Sequence, residues 1–283
     1  MPPTCILSLS CPDRPGLVAR VAGLLAANGG NIVDAQQFND TLTDRFFMRV
    51  EFAPAALTVD AWRNAFAPLA AELGMEWKLR CTGQSAKVML MVSKFDHCLG
   101  DLLYRTAIGE MNMEVVGIIG NHPASALSFP LPGDIPYHHL PVTAATRAEQ
   151  EAQIKALVDD SGCELVVLAR YMQILSDDLA SFLSGHCINI HHSFLPGFKG
   201  AKPYHQAHDR GVKMIGATAH YVTADLDEGP IIHQDVARCD HRETPEQLVA
   251  KGRDVERRVL ASAVKAHIED RVLLNGQRTV VFD

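Results

Sequence analysis

Two uninterrupted apolar runs constrain the fold of this chain more than any other feature. Residues 88–92 read Val-Met-Leu-Met-Val, and residues 165–169 read Leu-Val-Val-Leu-Ala. A short run without polar alternation is typical of a strand that is buried on both faces. Helical periodicity over residues 99–111 and 143–161, with a further strand at 115–120, separates the two runs. This alternation predicts a mostly parallel sheet covered by helices, which binds ligands at the carboxyl ends of its strands.

The residues before the first apolar run follow a different order. Their patterning predicts, in sequence, a strand at 4–10, a helix at 16–28, strands at 32–38 and 45–52, a helix at 59–73 and a strand at 75–81. The order βαββαβ is that of a ferredoxin-like α+β sandwich. Residues 82–85, Thr-Gly-Gln-Ser, have the small polar character of a linker. We therefore predict two domains, 1–82 and 86–283, in a chain that combines the α+β and α/β classes.

Composition supports two packed domains and excludes several kinds of partner. Hydrophobic residues make up 47% of the 283 residues, and the formal net charge is -7. A chain that binds nucleic acid or an anionic membrane would carry a stripe rich in lysine or arginine, which this sequence lacks. We therefore expect neither nucleic acid nor membrane as a partner. The seven cysteines form no C-x-x-C motif and no secretory signal pattern is recognised, which predicts a cytoplasmic protein.

The polar residues of a predicted strand at 187–191 are the first candidates for catalysis. Asn189 and His191 are two positions apart, so their side chains leave the same face of the strand. An amide donor beside an imidazole suits the stabilisation of a developing oxyanion. The same pair could equally be a turn-capping amide beside a histidine that hydrogen-bonds within the core, and spacing does not separate the two interpretations.

An acidic loop between two predicted strands provides the candidate general base. Asp225, Asp227 and Glu228 lie between the strand that ends near Val222 and the strand that begins near Ile231. A carboxylate in this loop could accept a proton once burial or charged neighbours tune its pKa. A solvated acidic turn would contain the same residues.

Histidine pairs raise the question of a metal site. His191 and His192 are adjacent, and His205 and His208 have helical spacing. Adjacent residues on a strand point to opposite faces, the second pair is equally consistent with a helix surface, and no H-E-x-x-H motif is present. We therefore predict no metal ion.

Several segments of the second domain together resemble the catalytic signature of the formyltetrahydrofolate-dependent transferases and hydrolases. The segments are Asn189-Ile190-His191, Ser193-x-Leu195-Pro196, His220-Tyr221-Val222 and Leu226-Asp227-x-Gly229-Pro230-Ile231-Ile232. In that family the asparagine, histidine and aspartate of these motifs carry catalysis. The resemblance therefore implies Asn189, His191 and Asp227 as catalytic residues, a Rossmann-like formyltransferase fold, and no cofactor beyond the folate substrate.

The resemblance extends to the folate site. Residues 168–175, Leu-Ala-Arg-Tyr-Met-Gln-Ile-Leu, resemble the segment that lines the pterin site, and residues 222–227 resemble its opposite wall. The implied binding residues are Met172, Gln173, Ile174, Leu175, Val222, Thr223 and Asp225.

The first domain resembles an ACT domain, a regulatory ferredoxin-like module. The resemblance rests on Asp13-Arg14-Pro15-Gly16-Leu17-Val18 and on Gly29-Gly30-Asn31-Ile32. ACT domains pair side by side and bind small amino acids near the first β–α turn. The resemblance therefore implies a homo-oligomer with an amino-acid effector at Asp13, Gly16 and Asn31.

Within the family, three features favour a hydrolase. Residues 93–99 lack the glycines that would let backbone amides approach the phosphate of a phosphorylated acceptor. His192 stands where the transferases commonly have proline, and residues 200–207 resemble the hydrolase form. The expected reaction is hydrolysis of 10-formyltetrahydrofolate to formate and tetrahydrofolate, which supplies formate to purine biosynthesis and balances the one-carbon folate pool.

Two other functions stay open from the sequence. The first is folate-dependent formyl transfer to an amine acceptor, with an acceptor pocket near Lys202, Tyr204 and His205. The second is a non-catalytic folate or amino-acid sensor, although the presence of all three implied catalytic residues argues against it. Release of formate without an added amine distinguishes the hydrolase from both.

Overall fold

The computed structural model describes residues 4–195 and 203–283. The described residues form two compact units. The first unit contains the residues up to Ser85 together with Ala266–Asn275 and Thr279–Asp283. The second unit contains Ala86–Lys265 with Gly276–Arg278.

The first unit has the ferredoxin-like order that the sequence predicts. Its elements are β1 (Cys5–Pro12), α1 (Leu17–Ala27), β2 (Asn31–Asp40), β3 (Arg45–Ala53), α2 (Val59–Leu73) and β4 (Glu76–Cys81). The strands form one antiparallel sheet in the order β2-β3-β1-β4. The predicted α+β sandwich is therefore confirmed.

Aromatic and aliphatic side chains fill the core of the first unit. The ring of Trp62 on α2 packs edge-on against Phe52 of β3, with ring centroids 4.8 Å apart. Gly30 makes room for this pair, because a Cβ atom at its position would lie 2.9 Å from the Trp62 ring. The aliphatic part of the core includes Leu7, Leu9, Val21, Leu25 and Val50. The helices thus bury the apolar faces that their sequence periodicity predicts.

The residues implied as an effector site lie at the first β–α turn and beside it. Gly16 occupies the N-cap position of α1 with a φ of 90°, a left-handed conformation that glycine adopts without steric cost. Asp13 donates its backbone N–H to the Asp44 carbonyl oxygen at 3.0 Å. Asn31 is the first residue of β2 and is exposed, as is Gly16.

The described part of the second unit is built on a seven-stranded sheet. Its strands are β5 (Ala86–Val92), β6 (Met113–Gly120), β7 (Tyr137–His139), β8 (Leu165–Leu168), β9 (Cys187–His191), β10 (Met214–Tyr221) and β11 (Ile231–Arg238). The order is β11-β10-β9-β8-β5-β6-β7, parallel from β7 to β9 and antiparallel at β10 and β11. The two apolar runs form β5 and β8 near the centre of the sheet, which confirms the predicted mostly parallel arrangement.

Helices lie between and after these strands in the chain. They are α3 (His97–Ala107), α4 (Arg147–Ser161), α5 (Asp177–Phe182), α6 (Pro203–Asp209) and α7 (Pro245–Ile268). The sequence patterning does not predict the short elements α5 and β7. β8 and β9 are parallel neighbours, with Leu168 paired to Asn189, so the residues that follow the two strands meet at one edge of the sheet. None of the helices within residues 4–195 and 203–283 has both the length and the hydropathy needed to cross a bilayer.

The C-terminal residues belong to the first unit, which differs from the predicted second domain of 86–283. They include a two-stranded sheet of β12 (Val272–Asn275) and β13 (Arg278–Val281). Phe282 packs against Phe47, a fully buried residue of β3. Asp270 pairs with Lys78 of β4, with 2.8 Å between Oδ1 and Nζ. These apolar and ionic contacts between residues far apart in sequence attach the segment to the sheet of the first unit.

Candidate active site

A cavity of 680 Å³ lies at the carboxyl ends of β8 and β9 in the second unit. Residues that follow β8 form one wall, and the loop that follows β10 forms another. Every residue implied as catalytic or folate-binding lines this cavity: Asn189, His191, Asp227, Met172, Gln173, Ile174, Leu175, Val222, Thr223 and Asp225. The fold therefore brings the two sets of residues together.

The amide of Asn189 is oriented by a histidine on the neighbouring strand. Asn189 of β9 pairs with His220 of β10, and its Nδ2 atom lies 3.3 Å from Nε2 of His220. Nδ1 of His220 lies 2.9 Å from the Tyr221 carbonyl oxygen. Because a carbonyl oxygen only accepts, Nδ1 carries a proton, and Nε2 faces the Asn189 amide. His220 is buried and thus fixes the direction of the amide. The spacing of residues in the sequence did not predict this role for His220.

Asp227 reaches His191 from the loop after β10. Its Oδ1 atom lies 3.1 Å from Nδ1 of His191 and 3.7 Å from Nε2 of His220. Asp227 has a φ of 58°, a left-handed conformation that aspartate tolerates better than most residues. Gly229 allows the loop to turn back, because a Cβ atom there would lie 1.8 Å from the Tyr221 carbonyl oxygen. The position of the carboxylate therefore depends on backbone geometry.

Two histidines keep Asp227 ionised. Burial raises the pKa of the carboxyl, but hydrogen bonds and charge from His191 and His220 outweigh burial and hold the pKa of Asp227 well below its usual range. The charge is partly desolvated and so interacts strongly with its neighbours. Nε2 of His191, the ring nitrogen that does not face Asp227, has no hydrogen-bond partner among the described residues. It is therefore the nitrogen available to a substrate oxygen.

Exposed apolar side chains stand on both walls of the cavity. Met172 and Ile174 follow β8, and Leu226 lies on the opposite loop. Side chains without polar groups suit the faces of a flat aromatic ring. The first wall is held by Ser93, whose hydroxyl accepts a hydrogen bond of 2.9 Å from the Met172 backbone N–H. The arrangement can hold a ring between the two walls.

Some residues of the cavity wall were not predicted. They include His97 and Glu256. Glu256 lies on α7, where a charged residue of an amphipathic helix is expected in solvent, yet it is fully buried. It follows Gly252 by four positions and stands beside Val255, on the apolar face of the helix. A charge on an apolar face is the signal that could have identified it.

His192 contradicts the prediction that it points away from His191. The two rings stack, with centroids 5.1 Å apart and 19° between their planes. The strand β9 ends at His191, so the alternation of side chains does not extend to the next residue.

Three potential metal ligands approach one another at this wall. One atom each of His97, Cys98 and Glu256 lies within 4.8 Å of the others. The Glu256 carboxylate is already paired with the guanidinium of Arg170 at 3.3 Å. A cation placed among the three would face that positive charge, so the donor set fits a metal ion poorly.

Some predicted features lie outside the described residues. Pro196 of the catalytic motif and Lys202 of the alternative acceptor pocket fall within 196–202. Tyr204 and His205, the other residues of that pocket, are described and line the cavity.

Comparison with known proteins identifies the family. A family model described as Formyl transferase matches residues 86–264, and one described as ACT domain matches residues 6–58. A formyltetrahydrofolate deformylase of Corynebacterium sp. (strain P-1) is 52% identical over 279 residues, which are 98% of this chain and 97% of that relative. This chain belongs to the formyltetrahydrofolate deformylase family.

Solved structures show how far the architecture is shared. A formyltetrahydrofolate deformylase of Burkholderia mallei ATCC 23344 is 54% identical, with a TM-score of 0.94 and coverage of 100% of both chains. Glycinamide ribonucleotide transformylase 1 of Symbiobacterium toebii is 26% identical, with a TM-score of 0.64 over 73% of this chain and 98% of that chain. The ACT and formyltransferase folds implied by the motifs are confirmed, and the deformylase family shares a scaffold with transferases.

Proposed function

We propose that this protein hydrolyses 10-formyltetrahydrofolate to formate and tetrahydrofolate. The observation that carries the proposal is the convergence of Asn189, His191 and Asp227 in one cavity of a member of the deformylase family. An amide donor, an imidazole and a carboxylate are the groups that attack of water on a formyl carbon requires.

The folate enters between the two walls of the cavity. Residues 172–175 and 222–226 support this placement, because they line the same cavity and include the exposed apolar side chains of Met172, Ile174 and Leu226. A pterin ring held between them directs the formyl group on N10 toward the polar end, where Asn189, His191 and Asp227 lie.

The formyl oxygen becomes an oxyanion when water attacks the carbon. The amide of Asn189 and Nε2–H of protonated His191 stabilise this oxyanion. One preorganised donor contributes about 3 kcal/mol, or ~10²–10³ in rate. The Asp227 carboxylate accepts from Nδ1 of His191 and so orients the ring, which leaves Nε2 for the oxyanion.

Asp227 is also the proton acceptor. It takes or relays a proton from the attacking water, and the bond between the formyl carbon and N10 breaks as N10 receives that proton. Water thus supplies the new oxygen of formate and the hydrogen of tetrahydrofolate. A carboxylate whose pKa lies well below its usual range is ionised at neutral pH but is a weak base, so it passes the proton on to N10 rather than retaining it.

Formyl transfer to an amine is the second candidate, because the second unit shares its scaffold with a glycinamide ribonucleotide transformylase. Incubation of the purified protein with 10-formyltetrahydrofolate alone distinguishes the two. Hydrolysis releases formate and tetrahydrofolate in equal amounts, whereas transfer leaves the substrate intact until an amine is added.

We also propose a cytoplasmic homo-oligomer controlled by an amino-acid effector. The ACT domain supports an effector site, and the edge strand β2 exposes Val33 and Phe38, which suits pairing with a second copy. Sedimentation equilibrium that finds only monomer would contradict the oligomer. A melting temperature that no small amino acid changes would contradict the effector.

Neither nucleic acid, membrane nor metal is proposed as a partner. The net charge of -7 disfavours the first two. Arg170 disfavours a metal ion, since it stands beside the potential ligand Glu256. Activity that survives dialysis against a chelator is the expected result, and its loss would contradict a reaction without metal.

A further inference from the structure

Connected side chains form one wall of the cavity beside the catalytic residues. They are His97, Arg170, His192, Tyr204 and Glu256, and they are named here the Glu256 wall. One oxygen of Glu256 accepts from the Tyr204 hydroxyl at 2.6 Å. The other oxygen lies 2.8 Å from Nε2 of His97 and 3.3 Å from Nε of Arg170. A terminal guanidinium nitrogen of Arg170 lies 2.7 Å from Nδ1 of His192.

His192 joins the Glu256 wall to the catalytic pair by stacking on His191. Because a guanidinium only donates, Nδ1 of His192 accepts from Arg170 and the ring proton sits on Nε2. Burial, together with the charges of Arg170 and His191, lowers the pKa of His192 to about 4. The ring is therefore neutral at physiological pH, and the wall presents N–H donors next to His191.

The carboxylate of Glu256 already binds other residues of the wall. Its side chain is 1% exposed and that of Arg170 is 10% exposed. Burial opposes ionisation, but the hydrogen bond from His97, the charge of Arg170 and the Tyr204 hydroxyl together lower the pKa of Glu256. An incoming amine could bind this carboxylate only by displacing one of these partners inside a buried site.

Two unusual backbone features hold the wall in place. Gly252 precedes Glu256 by one turn of α7, and a Cβ atom there would lie 2.2 Å from Cζ of Tyr204. The glycine therefore lets the Tyr204 ring lie against the helix, within reach of Glu256. Arg170 has a φ of 67°, a conformation that costs free energy in a non-glycine residue and persists where the surroundings enforce it. Both features fix the positions of Tyr204 and Arg170, so the Glu256 wall has a defined geometry.

The described residues of the cavity offer a second substrate an approach along the Glu256 wall. Residues 172–175 and 222–226 form the proposed folate slot, and the catalytic residues form the reacting end. Other lining residues include Phe95, His205, Val249 and Arg253, which lie near members of the wall in the sequence. An acceptor other than water that approaches on this side of the cavity therefore meets the Glu256 wall.

We propose that the Glu256 wall determines the nucleophile, by excluding amine acceptors and leaving water to attack the formyl carbon. This inference rests on the proposed function. An attacking amine is neutral and must give up a proton, so its N–H groups need hydrogen-bond acceptors, whereas the wall offers donors and the positive charge of Arg170. Water accepts hydrogen bonds from such donors and gives its proton to Asp227.

Formyl transfer to an amine, the excluded reaction, differs from hydrolysis in the bond that forms to the formyl carbon. In transfer, the bond between the formyl carbon and N10 breaks, a bond from that carbon to the amine nitrogen forms, and the amine proton goes to N10. In hydrolysis, the new bond is to the water oxygen and the proton of water goes to N10.

The test changes side chains of the Glu256 wall by mutation and measures whether the formyl group is transferred to water or to an amine. Arg170→Gly combined with Glu256→Gln removes the ion pair without leaving a buried charge alone, and glycine suits the positive φ at position 170. Wild type and variant are incubated with 10-formyltetrahydrofolate, with and without glycinamide. Formate, tetrahydrofolate and N-formylglycinamide are quantified by mass spectrometry.

A matched control removes a similar ion pair from the first unit. Arg80 and Asp270 are 11% and 5% exposed, with 3.4 Å between Nε and Oδ2. Arg80→Gly combined with Asp270→Asn therefore reproduces the loss of a buried pair at residues that do not line the cavity.

The expected result is a rise on the order of tenfold in the ratio of formylated amine to formate in the Arg170→Gly, Glu256→Gln variant, with no rise in the control. Release of formate without formylated amine in that variant contradicts the inference, and so does equal formylation of the amine by the wild type. If the variant has no turnover, Tyr204→Ala shortens the wall without removing a charge and is judged by the same ratio. A wild type that releases no tetrahydrofolate from the substrate alone would instead contradict the proposed function.

Discussion

Nδ1 of His191 and Oδ1 of Asp227 lie 3.1 Å apart, although one residue ends β9 and the other lies on the loop after β10. The contact sets the roles of both groups. Because the carboxylate accepts from Nδ1, the proton that His191 offers to a substrate sits on Nε2, which has no partner among the described residues. The pair therefore provides one donor for the oxyanion and one carboxylate for the water.

Asp227→Asn tests the carboxylate and leaves the backbone unchanged, because asparagine also tolerates a φ of 58°. We expect kcat to fall by about 10²–10⁴-fold, since an amide neither accepts the water proton nor stabilises charged His191. KM should change little, because the folate slot is intact. Steady-state kinetics of formate release measures both constants, and a wild-type kcat would contradict the assigned role.

His220→Gln tests the residue that orients Asn189. A misplaced amide should lower kcat by about tenfold to a hundredfold. Removal of His220 also takes away one of the groups that lower the pKa of Asp227, so the acid limb of the kcat/KM profile should move to higher pH. His233→Gln, at an exposed position of β11, is the control. A lower kcat with an unmoved acid limb would indicate a structural role only.

Gly229→Ala tests the turn that carries Asp227. The added Cβ atom would lie 1.8 Å from the Tyr221 carbonyl oxygen, so the loop has to move. We expect the displacement of the carboxylate to lower kcat by about tenfold to a hundredfold. Gly23→Ala is the control, because its Cβ atom meets nothing within 4 Å. Equal activities of the two variants would show that the turn does not position Asp227.

The parts of the fold that follow from local patterning were predictable. The apolar runs became the central strands β5 and β8, and Asn189 and His191 line one cavity because a strand alternates its side chains. The alternation failed at His192, because the strand ends one residue earlier. The three residues of β7 are too short a segment to produce a pattern.

Contacts between elements that are distant in sequence could not be predicted from local patterning. The approach of Asp227 to His191 depends on a left-handed φ and on the absence of a side chain at Gly229. The burial of Glu256 depends on Arg170 and Tyr204, which come from other elements. The C-terminal strands join the first unit through Phe282 and its long-range packing. The spacing of residues along the sequence does not determine which distant residues come into contact.

Folding stability should depend on pH through His192. Burial is the main cause that lowers its pKa from 6.5 to about 4 in the folded protein. Between these values the unfolded chain binds a proton that the folded protein does not, so the free energy of unfolding decreases as the pH falls, by about 3 kcal/mol in total. Asp227 does not contribute to this change in the free energy of unfolding. The stability from its lowered pKa is lost only below the ordinary pKa range of aspartate.

Denaturant titrations of His192→Gln measure this contribution. The variant should lose part of the decrease in the free energy of unfolding between pH 6.5 and about 4. The exposed His233→Gln should keep the wild-type dependence. Parallel curves for His192→Gln and the wild type would contradict a neutral, buried His192.

The most direct measurement is the isotopic composition of formate made from 10-formyltetrahydrofolate in ¹⁸O-labelled water, with no amine present. Attack by water at the site of Asn189, His191 and Asp227 predicts formate that carries one oxygen from the solvent, in equal amount to tetrahydrofolate. An intact substrate until an amine is added, or formate without the label, would contradict hydrolysis at this site.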